Sequence, residues 1–191
     1  MERGDGLRGP GHLNRGFVFG FYFVVTLLAL VLHYFFVGGS LAVPGEWGEG
    51  GPGKPEWMGI LGGLGIAFIV IVVDILCERY FDWAREFSSG IRGLVGKLSS
   101  GDILLFSLLS GVGEELLFRG VFLPLWGLVV SSVLFGIVHW GGVREKMWIW
   151  PIFSGILGFG FGILTLWSGS LLGAIVGHFT INFVNFHRIS R

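Results

Sequence analysis

Six residues that could carry out acid–base chemistry interrupt apolar stretches in the second half of the chain. One stretch contains two adjacent carboxylates and a guanidinium, a second ends in a histidine, and a third has a histidine four residues before an asparagine. A charge near the centre of a bilayer costs about 2.5–3.5 kcal/mol on insertion scales, so such residues are rare and by default functional. They are Glu114, Glu115, Arg119, His139, His178 and Asn182.

The two adjacent carboxylates predict different roles. Glu115 and Arg119 are four residues apart with the acid first, which is the favourable order for an ion pair on one helical face. We expect this pair to neutralise itself as a supporting contact. Glu114 points about 100° away from Glu115 around a helix and has no second cation in its segment. Glu114 therefore needs a proton or a partner from another helix, which favours a functional role.

These residue types suit hydrolysis by two mechanisms. A carboxylate can take a proton from water while an imidazole orients that water, and an amide or imidazole can stabilise the developing oxyanion. One carboxylate and two imidazoles can also hold zinc with an open position for water. The zinc ligands would then be Glu115, His139 and His178. Because the sequence has no His-Glu-x-x-His stretch, the residues alone leave both mechanisms open.

Composition predicts that the elements carrying these residues lie in a membrane. The 191 residues are 52% hydrophobic and 14% charged, with a mean hydropathy of +0.76, whereas soluble domains are about one quarter charged. The formal charge is zero and no basic run is present, so we expect no nucleic-acid partner. The single cysteine excludes an internal disulfide and multi-cysteine metal sites.

Apolar segments of suitable length recur along the whole chain. A helix needs about 20 residues to cross a bilayer, and these runs lack the alternation of barrel strands. We predict an all-α, polytopic transmembrane helical bundle of about six spans. The loop over 78–102 mixes charges with aromatic and aliphatic residues, which predicts an additional interfacial helix. The segments are 17–37, 58–77, 103–125, 128–139, 148–167 and 170–187.

Positive charges predict the orientation of this bundle. Eleven of the 13 Lys and Arg residues fall on one side of the six-span arrangement, Lys54 falls on the other, and Arg119 lies within a segment. Cytoplasmic loops carry the excess of such charges, so we expect a multi-pass integral membrane protein with both termini in the cytoplasm. Residues 1–16 would form a cytoplasmic tail, 17–102 two spans with the interfacial helix, and 103–191 the catalytic core.

Depth arithmetic predicts that the polar residues meet. With a turn at Trp126, Glu114 lies 12 residues before it and His139 lies 13 after it, which places both about 18–20 Å from the outer edge. A second outer turn at Gly169 puts His178 and Asn182 at 9 and 13 residues, or about 14–20 Å deep. Four polar groups from three helices would thus share a layer in the inner half of the ~30 Å apolar slab.

Three motifs in order resemble the CPBP family, the membrane endopeptidases of the CAAX-processing (type II prenyl endopeptidase) and bacteriocin-processing, Abi-like type. The motifs are Glu-Glu-x-x-x-Arg on one span, Phe-x-x-x-His on the next and His-x-x-x-Asn on a later one. They stand here as Glu114–Arg119, Phe135–His139 and His178–Asn182, and the resemblance covers about residues 103–187.

The resemblance implies a role for each matched residue. Glu114 would activate water, and His139 would bind or position that water. Glu115 would pair with Arg119, and Phe135 would be a packing residue of its motif. His178 and Asn182 would stabilise the oxyanion. A glutamate-dependent mechanism is favoured over a metal, because adjacent helical residues such as Glu114 and Glu115 do not easily point at one ion.

The sequence therefore predicts an intramembrane endopeptidase whose substrate is a membrane-associated peptide or protein, prenylated or otherwise lipid-anchored substrates included. Its partners would be the lipid bilayer and this substrate, with no cofactor favoured and zinc as the alternative. A second class of function is a proton-coupled transporter or channel, which uses intramembrane Glu, Arg and His as a relay. That class predicts broken helices at matching positions in two halves, which the sequence lacks. A non-enzymatic membrane scaffold is the third possibility.

Overall fold

The computed structural model describes residues 14–39, 54–141 and 146–190, and these residues form helices without any β-strand. The prediction of an all-α fold is confirmed, and each of the six predicted segments corresponds to a helix. The helices are α1 (Arg15–Leu32, continued by a π turn over His33–Val37), α2 (Glu56–Tyr80), α3 (Asp82–Val95), α4 (Ser100–Leu117, continued by a π turn over Phe118–Phe122), α5 (Leu123–Val138), α6 (Ile149–Ser168) and α7 (Leu172–Ile189).

Side-chain caps fix the first turns of α1 and α4 at the same end of the molecule. The Asn14 side chain accepts a hydrogen bond from the Gly16 amide at 2.8 Å. Ser99 and Asp102 form a reciprocal capping box at the start of α4. Arg15 donates to the Ser99 hydroxyl at 2.8 Å and to Asp102 at 3.0 Å, so the two helix starts are held together.

A glycine reverses the chain near the start of α5. Gly127 has φ 79° and ψ 173°, a conformation that only glycine adopts readily. The Ser131 hydroxyl donates to the Phe118 carbonyl at 2.8 Å, and the rings of Phe118 and Phe135 lie 4.9 Å apart. In a straight helix, Phe118 and Phe135 would lie about 25 Å apart. The two arms are therefore antiparallel, and the turn lies one residue from its predicted position.

Four helical stretches of the described chain are long and apolar enough to cross a membrane. They include all the described helices except α3 and α7, and the third stretch folds back on itself at Gly127. The integral membrane helical bundle is thus confirmed, whereas the count of six spans, the cytoplasmic termini and the division of the chain into a tail and two parts stay predictions. Most of the predicted tail lies outside the described residues. The stretches are Arg15–Val37, Glu56–Tyr80, Ser100–Val138 and Ile149–Ser168.

The predicted interfacial segment contains a helix, α3, that packs on the start of α6. Trp83 lies 6.2 Å from Phe153 and Phe87 lies 6.5 Å from Trp150, measured between ring centroids. These aromatic residues and the buried Ala84 share the side of α3 that faces the bundle. The helix itself is confirmed, and its position at the membrane surface stays a prediction.

Backbone contact between glycines joins α2 to α7. A methyl group added to Gly63 would lie 1.9 Å from the carbonyl oxygen of Gly173, and one added to Gly177 would lie 2.8 Å from that of Gly63. Small residues allow helices in a membrane to approach this closely. We call Gly59, Gly63, Gly173 and Gly177 the glycine seam.

Candidate active site

The site begins with the neighbouring residues Glu114 and Glu115 on α4, whose side chains have different partners. Glu115 is fully buried, and its Oε1 accepts hydrogen bonds from Arg119 at 3.0 Å and from Nδ1 of His178 at 2.7 Å. Arg119 also donates to the Gly158 carbonyl of α6 at 3.0 Å. The structure thus pairs Glu115 with Arg119, and this pair links α4 to α6 and α7.

Glu114 has one oxygen that accepts a hydrogen bond and one that does not. Oε1 accepts a hydrogen bond of 2.7 Å from the hydroxyl of Tyr22 on α1. Oε2 is buried and makes no hydrogen bond with the described residues. The nearest ring nitrogens are Nε2 of His139 at 3.5 Å and Nε2 of His178 at 4.0 Å. The structure therefore brings both predicted histidines to the second oxygen of Glu114.

The hydrogen bonds of the two histidines determine which nitrogen faces Glu114. Nδ1 of His139 lies 2.7 Å from the Phe135 carbonyl, which can only accept, so Nδ1 carries the proton. Nδ1 of His178 lies at the same distance from the Glu115 carboxylate, which also only accepts, so this Nδ1 carries a proton as well. Both rings consequently present Nε2 to Glu114, as an acceptor when neutral and as a donor when protonated.

Phe135 holds the two imidazole rings and the guanidinium in place. Its ring centroid lies 4.7 Å from that of His139 and 5.9 Å from that of His178. The guanidinium of Arg119 lies over the same ring at 4.3 Å, within the range of a cation–π contact. Phe135 is only 1% exposed, so the structure places it in the packing position that its motif implies.

Asn182 lies one turn away from the other predicted site residues. Its side-chain nitrogen donates to the Ser110 hydroxyl at 2.8 Å, four residues before Glu114 on α4. Among the described residues, no hydrogen bond links Asn182 directly to the carboxylates or the histidines of the site. The amide group has two N–H donors, and Ser110 accepts from one of them.

We call the connected group that surrounds Glu114 the polar layer. Its exposure falls across the layer, because the side chain of His139 is 17% exposed and that of Glu114 14%, whereas Glu115 and Arg119 are almost completely buried. The polar layer consists of Tyr22, Glu114, Glu115, Arg119, His139 and His178.

The described residues do not form a metal site in this arrangement. No three His, Cys, Asp or Glu side chains in the described ranges lie close enough to hold a metal ion. In the zinc set predicted from the sequence, Glu115 contacts Nδ1 of His178, whereas His139 lies next to Glu114. These three side chains do not converge on one point.

Sequence analysis did not identify two residues that contact the site. Tyr22 hydrogen-bonds Glu114, and Ser110 connects Asn182 to α4. Each of these residues is a hydroxyl within an apolar segment, just as the charged residues were polar groups within apolar segments. Whether the hydroxyl of Tyr22 reaches the site depends on the rotation of α1 against α4, which the sequence does not specify.

Comparison with known proteins identifies the region that contains most of the polar layer. Residues 97–184 match the type II CAAX prenyl endopeptidase Rce1-like family. We call residues 97–184 the Rce1-like region. This Rce1-like region runs from the residues before α4 into α7 and includes every member of the polar layer except Tyr22. The resemblance predicted from the three motifs is confirmed.

A curated relative matches a longer part of the chain. The uncharacterized protein YpbD of Bacillus subtilis (strain 168) is 31% identical over 123 residues. The aligned region covers 64% of this chain and 64% of the length of YpbD. No solved structure matches the chain.

Proposed function

We propose that this chain is an intramembrane endopeptidase that hydrolyses a peptide bond of a membrane-associated substrate, with Glu114 as the base that activates water. The observation that carries the proposal is the free Oε2 of Glu114, which faces Nε2 of both His139 and His178 inside an apolar bundle. The Rce1-like match of residues 97–184 supports the same reaction class.

The distances around Oε2 suit a bridging water. At 3.5 and 4.0 Å, the two Nε2 atoms are too far from Oε2 for direct hydrogen bonds. Polar groups at such separations are commonly joined through one water molecule. A water among these three atoms would donate a proton to Oε2 and be oriented by the imidazole of His139.

In the proposed reaction, Glu114 takes up one proton and later releases the same proton. The water oxygen attacks the carbonyl carbon of the substrate while Glu114 takes a water proton, and the carbonyl oxygen becomes an oxyanion. Nε2–H of a protonated His178 and the second N–H of Asn182 are the proposed donors to that oxyanion. As the C–N bond breaks, Glu114 returns its proton to the departing nitrogen, which leaves a carboxylic acid and an amine.

The charges in the polar layer favour this use of a single proton. Glu115 and Arg119 form a buried ion pair that cancels itself. Glu114 then remains as one negative charge beside two imidazoles, and an uncompensated buried charge carries a penalty of several kcal/mol. One proton on the imidazole of His178 makes the layer neutral and leaves the Glu114 carboxylate to take the water proton and return it.

Zinc-dependent hydrolysis is the second candidate, because both histidines hold Nδ1–H on an acceptor, as zinc-binding histidines usually do. The described residues contain no group of three His, Cys, Asp or Glu side chains arranged to hold a metal ion, and Glu115 binds Arg119 and Nδ1 of His178 instead. We therefore assign no step to a metal. Turnover that survives an excess of chelator would support the metal-independent mechanism, whereas loss that is restored by added zinc would favour the second candidate.

The test compares two Glu→Gln variants of the purified protein on a lipid-anchored, fluorescence-quenched peptide in vesicles. We expect Glu114→Gln to lower turnover by about 10²–10⁴-fold, the usual contribution of general acid–base catalysis. Glu86→Gln is the matched control, because Glu86 is half exposed and pairs only loosely with Lys146 at 3.8 Å. Turnover by Glu114→Gln equal to that of Glu86→Gln would refute the assignment of the base.

A further inference from the structure

We infer that Tyr22 positions the base: its hydroxyl holds Oε1 of Glu114 so that only Oε2 is available to take the proton from water. This inference rests on the proposed function of Glu114. Because Tyr22 acts through Glu114 and not on the substrate, it is a positioning residue. Tyr22 lies on α1, outside the Rce1-like region of residues 97–184, so the first helix would contribute directly to the reaction.

The geometry of Tyr22 supports a specific contact. Its hydroxyl lies 2.7 Å from Oε1 of Glu114, the distance of a strong hydrogen bond to a carboxylate. Thr26 and the ring of Tyr22 pack closely against Gly113, where an added methyl group would lie 3.1 Å from Oγ1 of Thr26 and 3.3 Å from Cδ1 of Tyr22. The ring therefore has little freedom to move.

The contact fixes the direction of the Glu114 carboxylate. With Oε1 bound to Tyr22, rotation of the carboxylate would break a charge-assisted hydrogen bond, so Oε2 stays directed at His139 and His178.

The test replaces single hydroxyl groups in the full-length protein. We expect Tyr22→Phe to lower kcat by about 10- to 100-fold, the range for loss of a hydrogen bond to a charged group, with KM unchanged within about twofold. Tyr34→Phe is the matched control, since Tyr34 follows α1 in the same span and is 78% exposed. This control should leave kcat and KM unchanged.

A second variant moves the ring without removing its hydroxyl. In Gly113→Ala the added methyl group presses on Oγ1 of Thr26 at 3.1 Å and on the Tyr22 ring at 3.3 Å, so we expect a smaller loss of kcat than in Tyr22→Phe, with KM again unchanged. A lower melting temperature in Tyr22→Phe with the kcat and KM of the wild type would reduce Tyr22 to a structural contact and overturn the inference.

Glu114→Gln in the same assay separates failure of the inference from failure of the proposed function. If Glu114→Gln is inactive while Tyr22→Phe has the kcat and KM of the wild type, only the inference about Tyr22 fails. If Glu114→Gln retains full turnover, the proposed function fails and the inference fails with it.

Discussion

The glycine seam and the polar layer are two buried contacts between helices that are built in opposite ways. The seam has no side chains, and the backbones of α2 and α7 touch where Gly63 meets Gly173. The polar layer consists of long side chains whose donors and acceptors have particular partners. The seam therefore determines how closely the helices approach, whereas the layer determines which atoms meet.

The difference matters because α7 takes part in both contacts through adjacent residues. Gly177 lies against the backbone of Gly63, and His178 donates to Glu115 on the other side of the helix. A shift of α7 away from α2 would move the imidazole of His178 by a similar distance. Packing between apolar surfaces thus sets the geometry of the proposed chemistry, and variants of each contact can test that dependence.

The largest effect is expected when the buried ion pair of the polar layer is broken. Arg119→Leu leaves the fully buried Glu115 without its cation, which typically destabilises a protein by about 3–5 kcal/mol. We expect a large drop in melting temperature in detergent and loss of turnover. Arg119→Lys keeps the charge but not the second donor to Gly158, so its loss should be smaller. Equal stability of the Leu variant and the wild type would contradict this assignment.

An intermediate effect is expected in the glycine seam. Gly63→Ala places a methyl group against the Gly173 carbonyl, and overpacking of this kind costs about 1–3 kcal/mol or more. Turnover should fall together with the melting temperature, because α7 carries His178. Gly65→Ala is the matched control on the same helix, since nothing lies within 4 Å of the added methyl group. A Gly63→Ala protein that loses stability and keeps full turnover would show that the geometry of the polar layer does not depend on the glycine seam.

The smallest effect, with the opposite sign, is expected at Thr165 on α6. Its hydroxyl is buried and has no hydrogen-bond partner among the described residues, and the residue is 1% exposed. Removing an unsatisfied polar group of this kind is nearly neutral or stabilising. Thr165→Val should therefore change the melting temperature by no more than a few degrees, upward if at all, and leave turnover unchanged. A clear loss of stability would mean that the hydroxyl has a partner.

The sequence predicted the parts of this arrangement that depend on distance along the chain. The apolar segments, the turn near Trp126 and the ion pair between Glu115 and Arg119 follow from hydropathy and helical spacing, and all are present. The calculated depths in the membrane also predicted that Glu114 lies in one layer with two histidines. Such arithmetic resolves about one helical turn, or about 5.4 Å, so it did not show that Asn182 lies beside Ser110.

Spacing along the chain could not predict the contact between Tyr22 and Glu114, because this contact depends on how α1 is rotated about its own axis. An apolar segment surrounded by lipid on one side has no strong amphipathic pattern, so its sequence does not define which face is inward. The twelve-residue spacing that located Glu114 relative to a turn has no counterpart between α1 and α4, which are joined through two other helices.

Three polar contacts at different heights hold α1 against α4, which runs in the same direction. Arg15 binds Asp102 at one end and Tyr22 binds Glu114 in the middle. His33, in the π turn at the other end, donates to the Gly120 carbonyl at 2.9 Å. Because each helical residue is offset by about 100° from the next, sliding or twisting α1 as a rigid rod breaks all three contacts together. The first span therefore has a single rotational register on the bundle, and Tyr22 releases Glu114 only if the entire rod detaches.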